Sequence, residues 1–189
     1  MDNNNNINIE NKYSRGIKII GLEKVIKVAK KYLCNNICSV EVGSGNGYFA
    51  KILEEVGINP IITIDPLNYY FNGQPDKEPD FPSIDKFITS HSFPGMKNTN
   101  LILNWPSPRN YNNETQSWDL EAILKLKPQI IFLIYASCGT SGSLALLEWL
   151  KIQNRYIIIN IIKRQIPASK TFNGTYPIKI KLLVLQLIN

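Results

Sequence analysis

The chain has 189 residues and a mass of 21.5 kDa, 44% of its residues are hydrophobic, and its formal net charge is +6. This length fits one domain with a continuous core and leaves little room for a second. The longest apolar run, residues 129–136, is too short to span a bilayer, and the N-terminus carries no apolar signal region. We therefore expect a soluble, cytoplasmic protein without a membrane partner.

The three cysteines, Cys34, Cys38 and Cys138, have neither CxxC spacing nor a matching histidine cluster. This pattern indicates neither a disulfide framework nor a metal site. The basic excess favours a nucleic-acid partner, because lysines gain free energy by releasing counterions from phosphates. The signal is weak, since the lysines are spread along the chain and Asn, Ile and Lys are over-used together. The sequence leaves the oligomeric state open.

An Asn-rich stretch at residues 1–11 predicts a disordered polar tail, and residues 12–189 are expected to form one domain. Apolar periodicity then predicts alternating elements. Helices are expected at residues 21–33, 48–56, 118–126 and 143–151, and strands at residues 39–42, 61–65, 87–89, 100–103, 130–136, 156–162 and 178–187. This alternation predicts an α/β fold whose mostly parallel sheet carries helices on both faces. No helix separates the last two strands, so they should pair as an antiparallel hairpin at one edge.

Residues 67–82 interrupt the alternation. Pro75, Pro79 and Pro82 fall within this segment, and a regular helix would not tolerate them. A loop replaces the helix expected after the second strand. Long loops in compact domains are often functional, so we predict a mobile lid whose three aromatic residues cover a bound ligand. These aromatic residues are Tyr69, Tyr70 and Phe71.

A glycine turn, Glu41-Val42-Gly43-Ser44-Gly45-Asn46-Gly47, joins the first strand to the next helix. Glycines in such a turn let the backbone approach a ligand closely. A dinucleotide fingerprint GxGxxG counted from Gly43 would require glycine at position 48, where Tyr48 stands. The GxGxG spacing, preceded by Glu41, resembles motif I of class I S-adenosylmethionine (SAM)-dependent methyltransferases.

That resemblance implies a Rossmann-like sheet of seven strands with an antiparallel last strand, and SAM as the cofactor. It implies that Glu41 lies near the methionine ammonium of the cofactor and that the turn passes beneath it. The turn residues concerned are Gly43, Ser44, Gly45 and Gly47. Asp65, at the end of the second strand, would accept the ribose hydroxyl protons. Ser90 and His91, after the strand predicted at residues 87–89, would lie beside the adenine.

Asn104-Trp105-Pro106, at the end of the strand predicted at residues 100–103, is the candidate substrate-facing segment. It is similar to the Asn/Asp-Pro-Pro-aromatic segment of nucleic-acid amino-methyltransferases, although the proline pair is interrupted here. The resemblance implies that Asn104 accepts a hydrogen bond from an exocyclic amine and that Trp105 stacks on a base. A Trp-Pro turn packed over the sheet edge is the competing interpretation.

Cys138 is a second catalytic candidate. The segment Tyr135-Ala136-Ser137-Cys138 is similar to the nucleophile segment of RNA uridine 5-methyltransferases, in which a thiolate adds to the pyrimidine ring. Two departures weaken this match: Asn104 stands where that group has Asp, and the last two predicted strands contain no Glu to act as a base. A small residue at a tight turn is the competing interpretation.

The leading hypothesis is a SAM-dependent methyltransferase of unknown substrate, with nucleic acid favoured. One alternative is a catalytically inactive, methyltransferase-like binding or regulatory module. A nucleotide-dependent oxidoreductase is the other, and Tyr48 at the third dinucleotide glycine position disfavours it.

Overall fold

The computed structural model describes residues 17, 20–33, 37–65, 76–90, 93–95, 98–106, 117–136, 141–166 and 177–188. Several sequence predictions fall outside these residues. They concern the tail at residues 1–11, the lid over residues 67–75, His91 and Cys138.

Five helices and six strands alternate along the described residues. The helices are α1 (Leu22–Leu33), α2 (Tyr48–Glu55), α3 (Ile84–Ile88), α4 (Trp118–Leu126) and α5 (Leu144–Ile152). The strands are β1 (Cys38–Val42), β2 (Ile61–Ile64), β3 (Thr99–Asn104), β4 (Ile130–Ala136), β5 (Tyr156–Ile166) and β6 (Ile178–Leu187). No helix in the described ranges is long and apolar enough to cross a membrane.

The strands form one sheet in the order β2-β1-β3-β4-β6-β5. The first four strands are parallel, whereas β6 runs antiparallel to both β4 and β5. All seven residues of β4 are buried, as expected for a central strand that is covered on both faces. The mostly parallel sheet, the terminal hairpin and the antiparallel last strand are therefore confirmed.

Helices cover both faces of the sheet. Ile102 and Phe132 pack in the cluster that contains the apolar residues of α1 and α2, whereas Leu101 and Leu133 pack in the cluster of α3, α4 and α5. This follows from the period of two along a strand, which sends successive side chains to opposite faces. Apolar packing on both faces therefore fixes the sheet, and the carboxyl ends of β1 to β4 lie side by side at one end of it.

The prediction of a strand at residues 87–89 is wrong. Residues 84–88 form the helix α3, and Thr89 follows its last turn. Ser83 caps α3, and its Oγ accepts a hydrogen bond from the Lys86 amide at 3.2 Å. Ile84 and Phe87 are buried three residues apart, which places them on one helix face. The prediction that a loop replaces the helix after the second strand is therefore wrong in part, since the short helix α3 follows β2.

Phe81 lies beside β2, where a third strand would be expected. It forms a single parallel bridge with Ile64, and the Asp65 amide donates to its carbonyl oxygen at 3.2 Å. Pro79 and Pro82 flank the bridge, and proline cannot donate to a sheet ladder. The bridge therefore does not extend, and the sheet of the described residues has six strands instead of the seven predicted.

Candidate functional site

The glycine turn lies at the carboxyl end of β1. Gly43, Gly45 and Gly47 have φ values of 71°, 58° and 72°, which other residues rarely adopt. The Gly43 amide donates to the Ile64 carbonyl oxygen at 2.8 Å, so the turn is tied to the end of β2. The predicted strand, turn and helix are confirmed, and the turn lies between the carboxyl ends of two neighbouring strands.

Two glycines of the turn are also required by contacts within the protein. A Cβ atom at Gly43 would overlap the indole of Trp118, which begins α4. A Cβ atom at Gly47 would overlap the backbone of Lys77. The glycine spacing indicated a close approach by a ligand, and the structure shows that α4 and residues 76–77 also approach the turn closely.

Asp65 follows β2 and lies against the turn. Its Oδ2 accepts a hydrogen bond from the Gly45 amide at 2.6 Å. This short bond to a carboxylate stabilises the turn and fixes the direction of the acidic side chain. The predicted juxtaposition of Asp65 with the glycine turn is therefore present in the fold.

Glu41 carries an enclosed carboxyl group, and the residue is only 1% exposed. Burial raises its pKa to about 8, and hydrogen bonds from the Ala50 amide and the Asn104 side chain oppose this shift only in part. The nearby Asp65 raises the pKa further, and Lys77 lowers it. A carboxyl group so placed holds its proton near neutral pH, and a cation beside it would favour the ionised form.

Three buried oxygen atoms at this edge have no hydrogen-bond partner within the described residues. Glu41 Oε2 and Ser44 Oγ belong to the turn and its strand, and Ser141 Oγ precedes α5. Buried polar atoms are nearly always paired, so unpaired ones at a turn are consistent with a polar ligand site. Ser39 and Asn100 also carry unpaired atoms, but they pair in register nearer the amino ends of β1 and β3.

The segment from Asp76 to Lys77 closes on the turn at Asn46. The Asn46 carbonyl oxygen accepts hydrogen bonds from both of their amides, at 2.8 and 3.1 Å, and the Asn46 amide group donates to Asp76 Oδ2 at 3.0 Å. Lys77 Nζ contacts Glu54 Oε1 at 2.6 Å. The end of the predicted lid is thus anchored to the turn and to α2.

Asp80 anchors the same segment to β2. Its Oδ2 accepts hydrogen bonds from the Thr63 amide at 2.8 Å and from the Thr63 hydroxyl at 2.9 Å. These bonds satisfy the polar groups of an edge strand that would otherwise be open to pairing. Residues 76–81 therefore form a fixed wall beside the turn.

Asn104, Trp105 and Pro106 follow β3 at the same edge. Asn104 lies next to the site, because its side chain hydrogen-bonds to Glu41. Trp105 has a φ of 56°, a strained value for a residue with a Cβ atom, and its side chain packs against the α1–α2 side of the core. Its amide donates to the Ile134 carbonyl oxygen at 2.8 Å, which holds the strained turn against β4.

A polar cluster that the sequence analysis did not single out joins the starts of α4 and α5. Asp119 is fully buried and accepts hydrogen bonds at 2.7 Å from the Ser117 hydroxyl, the Leu120 amide, the Ser143 hydroxyl and the Ser143 amide. We call Ser117, Asp119 and Ser143 the α4–α5 junction. A serine before each helix was a local signal for capping, but the contact between the two caps was not visible in the sequence.

Ser90 lies at the end of α3, and its hydroxyl donates to the Phe87 carbonyl oxygen at 2.7 Å. Ser90 was expected beside the adenine because it would follow a strand, but it follows a helix instead. A role of Ser90 at the cofactor stays a prediction. The proposed roles of His91 and Cys138 also stay predictions, since both residues lie outside the described part of the chain.

No protein-family model matches the chain, and no curated protein matches it in sequence. Solved structures do resemble it. A SAM-dependent methyltransferase from Anabaena variabilis is 12% identical, with a TM-score of 0.55 over 92% of this chain and 86% of that one.

Two further structures are similar. The plantazolicin methyltransferase BpumL, solved with a triazolic desmethylPZN analog and SAH, is 12% identical, with a TM-score of 0.50 over 96% of this chain and 89% of that one. A Thermoplasma acidophilum protein designated 1320 is 12% identical, with a TM-score of 0.53 over 86% of this chain and 82% of that one. At these identities the likeness concerns the fold, and the chain has the Rossmann-like α/β fold of the SAM-dependent methyltransferases.

Proposed function

We propose that this protein is a SAM-dependent methyltransferase that binds its cofactor at the glycine turn. The observation that carries the proposal is the meeting of three features at one sheet edge: the positive-φ glycines, the Asp65 carboxylate bonded to the turn, and the enclosed carboxyl group of Glu41. BpumL, which shares the fold, was solved with SAH.

The residues present fit such a cofactor. Glu41 has a buried oxygen without a partner in the described residues, and a cationic ammonium beside it would satisfy that atom. Asp65 directs its carboxylate at the turn, where it would accept protons from ribose hydroxyls. The turn itself would supply backbone amides and close approach.

When bound, SAM supplies an electrophilic methyl group to an acceptor held in line with it. The chain would contribute positioning, which alone can account for a large part of such a rate enhancement. Asn104 is the residue best situated for this work, because it already contacts Glu41 and follows the neighbouring strand. The strained turn at Trp105 holds it there.

The first test is ligand-induced thermal stabilisation. SAM or SAH at about a hundredfold excess over Kd should stabilise the folded state by about 2.7 kcal/mol. For a domain of this size the melting temperature should rise by about 5 to 10 °C. NAD should give no shift, and a shift with NAD but not with SAM would support an oxidoreductase instead.

Two variants locate the site. Gly45→Val should abolish the SAM shift, since a branched side chain would stand at a φ of 58° in the turn. Gly57→Val is the matched control: its φ of 90° imposes the same kind of strain, but it follows α2 away from the turn and has open space around it. The control should retain the full shift, and equal loss in both would count against binding at the turn.

Asp65→Asn tests the acidic wall of the site. Asparagine keeps an oxygen that can accept from the Gly45 amide, so the turn should persist while the SAM affinity falls. Incubation with methyl-labelled SAM and separate pools of RNA, DNA, protein and metabolites then tests transfer. A thermal shift without transfer into any pool would favour the catalytically inactive module.

A further inference from the structure

The β5–β6 hairpin carries a row of basic side chains on one face. Lys163 pairs in register with Lys181, and Gln165 pairs with Lys179. Residues directly opposite on antiparallel strands point to the same face, and so do residues two apart on one strand. We call these four residues the hairpin basic face.

This arrangement works against the stability of the hairpin. Like charges directly opposite each other on neighbouring strands repel. Among the described residues, no carboxylate lies within 4.0 Å of the amino group of Lys163 or Lys181. Lys181 instead lies over the Tyr135 ring, with 5.8 Å from Nζ to the ring centroid. The opposed lysines therefore suit an anion that would sit between them.

The hairpin basic face and the candidate site both lie at the end of the sheet where the parallel strands have their carboxyl ends. Lys181 pairs with Tyr135 near the carboxyl end of β4, and Asn104 pairs with Ile134 on the other side of that strand. Ligands of such sheets bind outside the carboxyl ends of the strands. Asn104 shares the face of Ile134, whereas Lys181 shares the face of Tyr135, so a chain-like substrate would pass from one to the other across the carboxyl ends of the strands.

Two grooves meet at Lys181. The first, of 380 Å³, is lined by the basic face together with Arg164 and Ile180. The second, of 600 Å³, lies between α5 and the hairpin and has mainly apolar walls. Its exposed wall residues include Leu144, Ile158 and Ile161, which are 75%, 55% and 43% exposed. A charged strip thus runs directly into an apolar one.

We propose that the hairpin basic face binds the phosphate backbone of a single-stranded nucleic acid, which is the methyl acceptor or carries it. This inference rests on the proposed methyltransferase function. Single strands are bound by a positive groove that follows the phosphates, combined with aromatic side chains on which the bases stack. The first groove supplies the positive surface, the second adjoins it with apolar walls that include Tyr135, and the net charge of +6 supports an anionic partner.

The test measures binding of a fluorescein-labelled, unstructured RNA of about 20 nucleotides to the full chain saturated with SAH. The triple variant Lys163→Gln, Lys179→Gln, Lys181→Gln is compared with the unaltered chain between about 50 and 200 mM salt. We expect its Kd at the lower salt to rise at least about tenfold. The slope of log K against log salt should become shallower by about 2, because each phosphate contact on a single strand contributes roughly 0.7.

A matched control removes the same charge elsewhere. Lys24→Gln, Lys30→Gln, Lys51→Gln neutralises three exposed lysines of α1 and α2, on the opposite face of the sheet. This variant should bind RNA within about threefold of the unaltered chain and keep its salt slope. Equal losses in the two variants would show that net charge, and not this face, attracts RNA, and would overturn the proposal.

Other polyanions give outcomes that oppose the proposal. Labelled poly-glutamate and vesicles of phosphatidylserine with phosphatidylcholine are titrated in parallel. Tighter binding of either one, lost in the hairpin variant, would assign the face to an acidic polypeptide or a lipid surface. The SAH thermal shift separates the two proposals. If the unaltered chain shows no SAH shift, the methyltransferase function is contradicted. If the triple lysine variant binds RNA as tightly as the unaltered chain, only the role of the hairpin basic face is contradicted.

Discussion

The glycine turn and the α4–α5 junction lie at the same edge of the sheet but are assembled differently. The turn takes its shape from positive-φ glycines close together in the chain, so its sequence is recognisable. The junction takes its shape from Asp119, which bonds to Ser143 across 24 residues. Local backbone restriction leaves a pattern in the sequence, whereas a long-range hydrogen-bond network does not.

Trp118 connects these two regions. It begins α4 beside the junction, and its indole covers Gly43 in the turn. The first glycine of the motif is therefore set by the position of a distant helix as well as by any ligand. Substitutions at Gly43 and at Trp118 should therefore affect the stability of the protein in a coupled way.

The largest expected effect comes from the junction. Asp119→Ala removes the acceptor of four hydrogen bonds in a fully buried position, and this should cost about 3 to 5 kcal/mol of unfolding free energy. Urea denaturation measures it. Asp85→Ala is the control, since that carboxylate is 70% exposed and its loss should cost less than about 1 kcal/mol. A loss below that level for Asp119→Ala would mean that the junction does not hold the helices together.

The next prediction concerns the pH dependence of stability that the buried Glu41 beside the turn produces. The pKa of Glu41 is about 8 in the folded protein, above the ordinary value of 4.5, because burial disfavours its charged form. The folded state therefore binds this proton more tightly than the unfolded chain does. Its contribution to stability is fully present below about pH 4.5 and is lost as the pH rises through about 8.

Glu41→Gln should remove this dependence. Between about pH 5 and 8, the unaltered chain should lose about 2 to 4 kcal/mol more unfolding free energy than Glu41→Gln does. Denaturant unfolding at several pH values measures the difference. Parallel curves for the two proteins would show that Glu41 ionises freely in the folded state.

A smaller effect tests the contact between the two regions. Gly43→Ala should cost about 1 to 3 kcal/mol more than Gly57→Ala, because both sites have positive φ but only Gly43 lies against Trp118. Trp118→Leu combined with Gly43→Ala completes a double-mutant cycle. The extra cost should disappear in the Trp118→Leu background, and a cost that persists would assign the requirement to the backbone alone.

The smallest effect gives a surface baseline outside both regions. Lys125 Nζ lies 2.6 Å from both Asp85 Oδ1 and Glu121 Oε1, joining α3 to α4. Lys125→Gln should change the unfolding free energy by no more than about 0.5 kcal/mol, because exposed ion pairs are screened by solvent. Lys151→Gln, which breaks a pair within α5, is the matched control. A clearly larger cost for Lys125→Gln would show that ion pairs contribute to the docking of α3.

Much of the fold followed from periodicity. The bounds of α4, β4 and β6 agree with the predicted ones, because buried apolar runs and helical spacing are local properties. The region from Asp65 to Ser90 was predicted less well. The prolines suggested a loop over residues 67–82 followed by a strand at residues 87–89, yet Ser83 starts a helix there, and Phe81 forms a single bridge beside β2.

The sequence by itself determined the alternation of strands and helices, the antiparallel hairpin and the joining of the Glu41 strand to a glycine turn, since each depends on residues within a few turns of chain. Only the tertiary structure decided that Asn104 contacts Glu41, that Trp118 covers Gly43 and that Lys163 faces Lys181. These contacts depend on strand order and register, which arise when separate apolar surfaces pack together. No local pattern specifies them, because the same side chains would be solvated until the sheet forms.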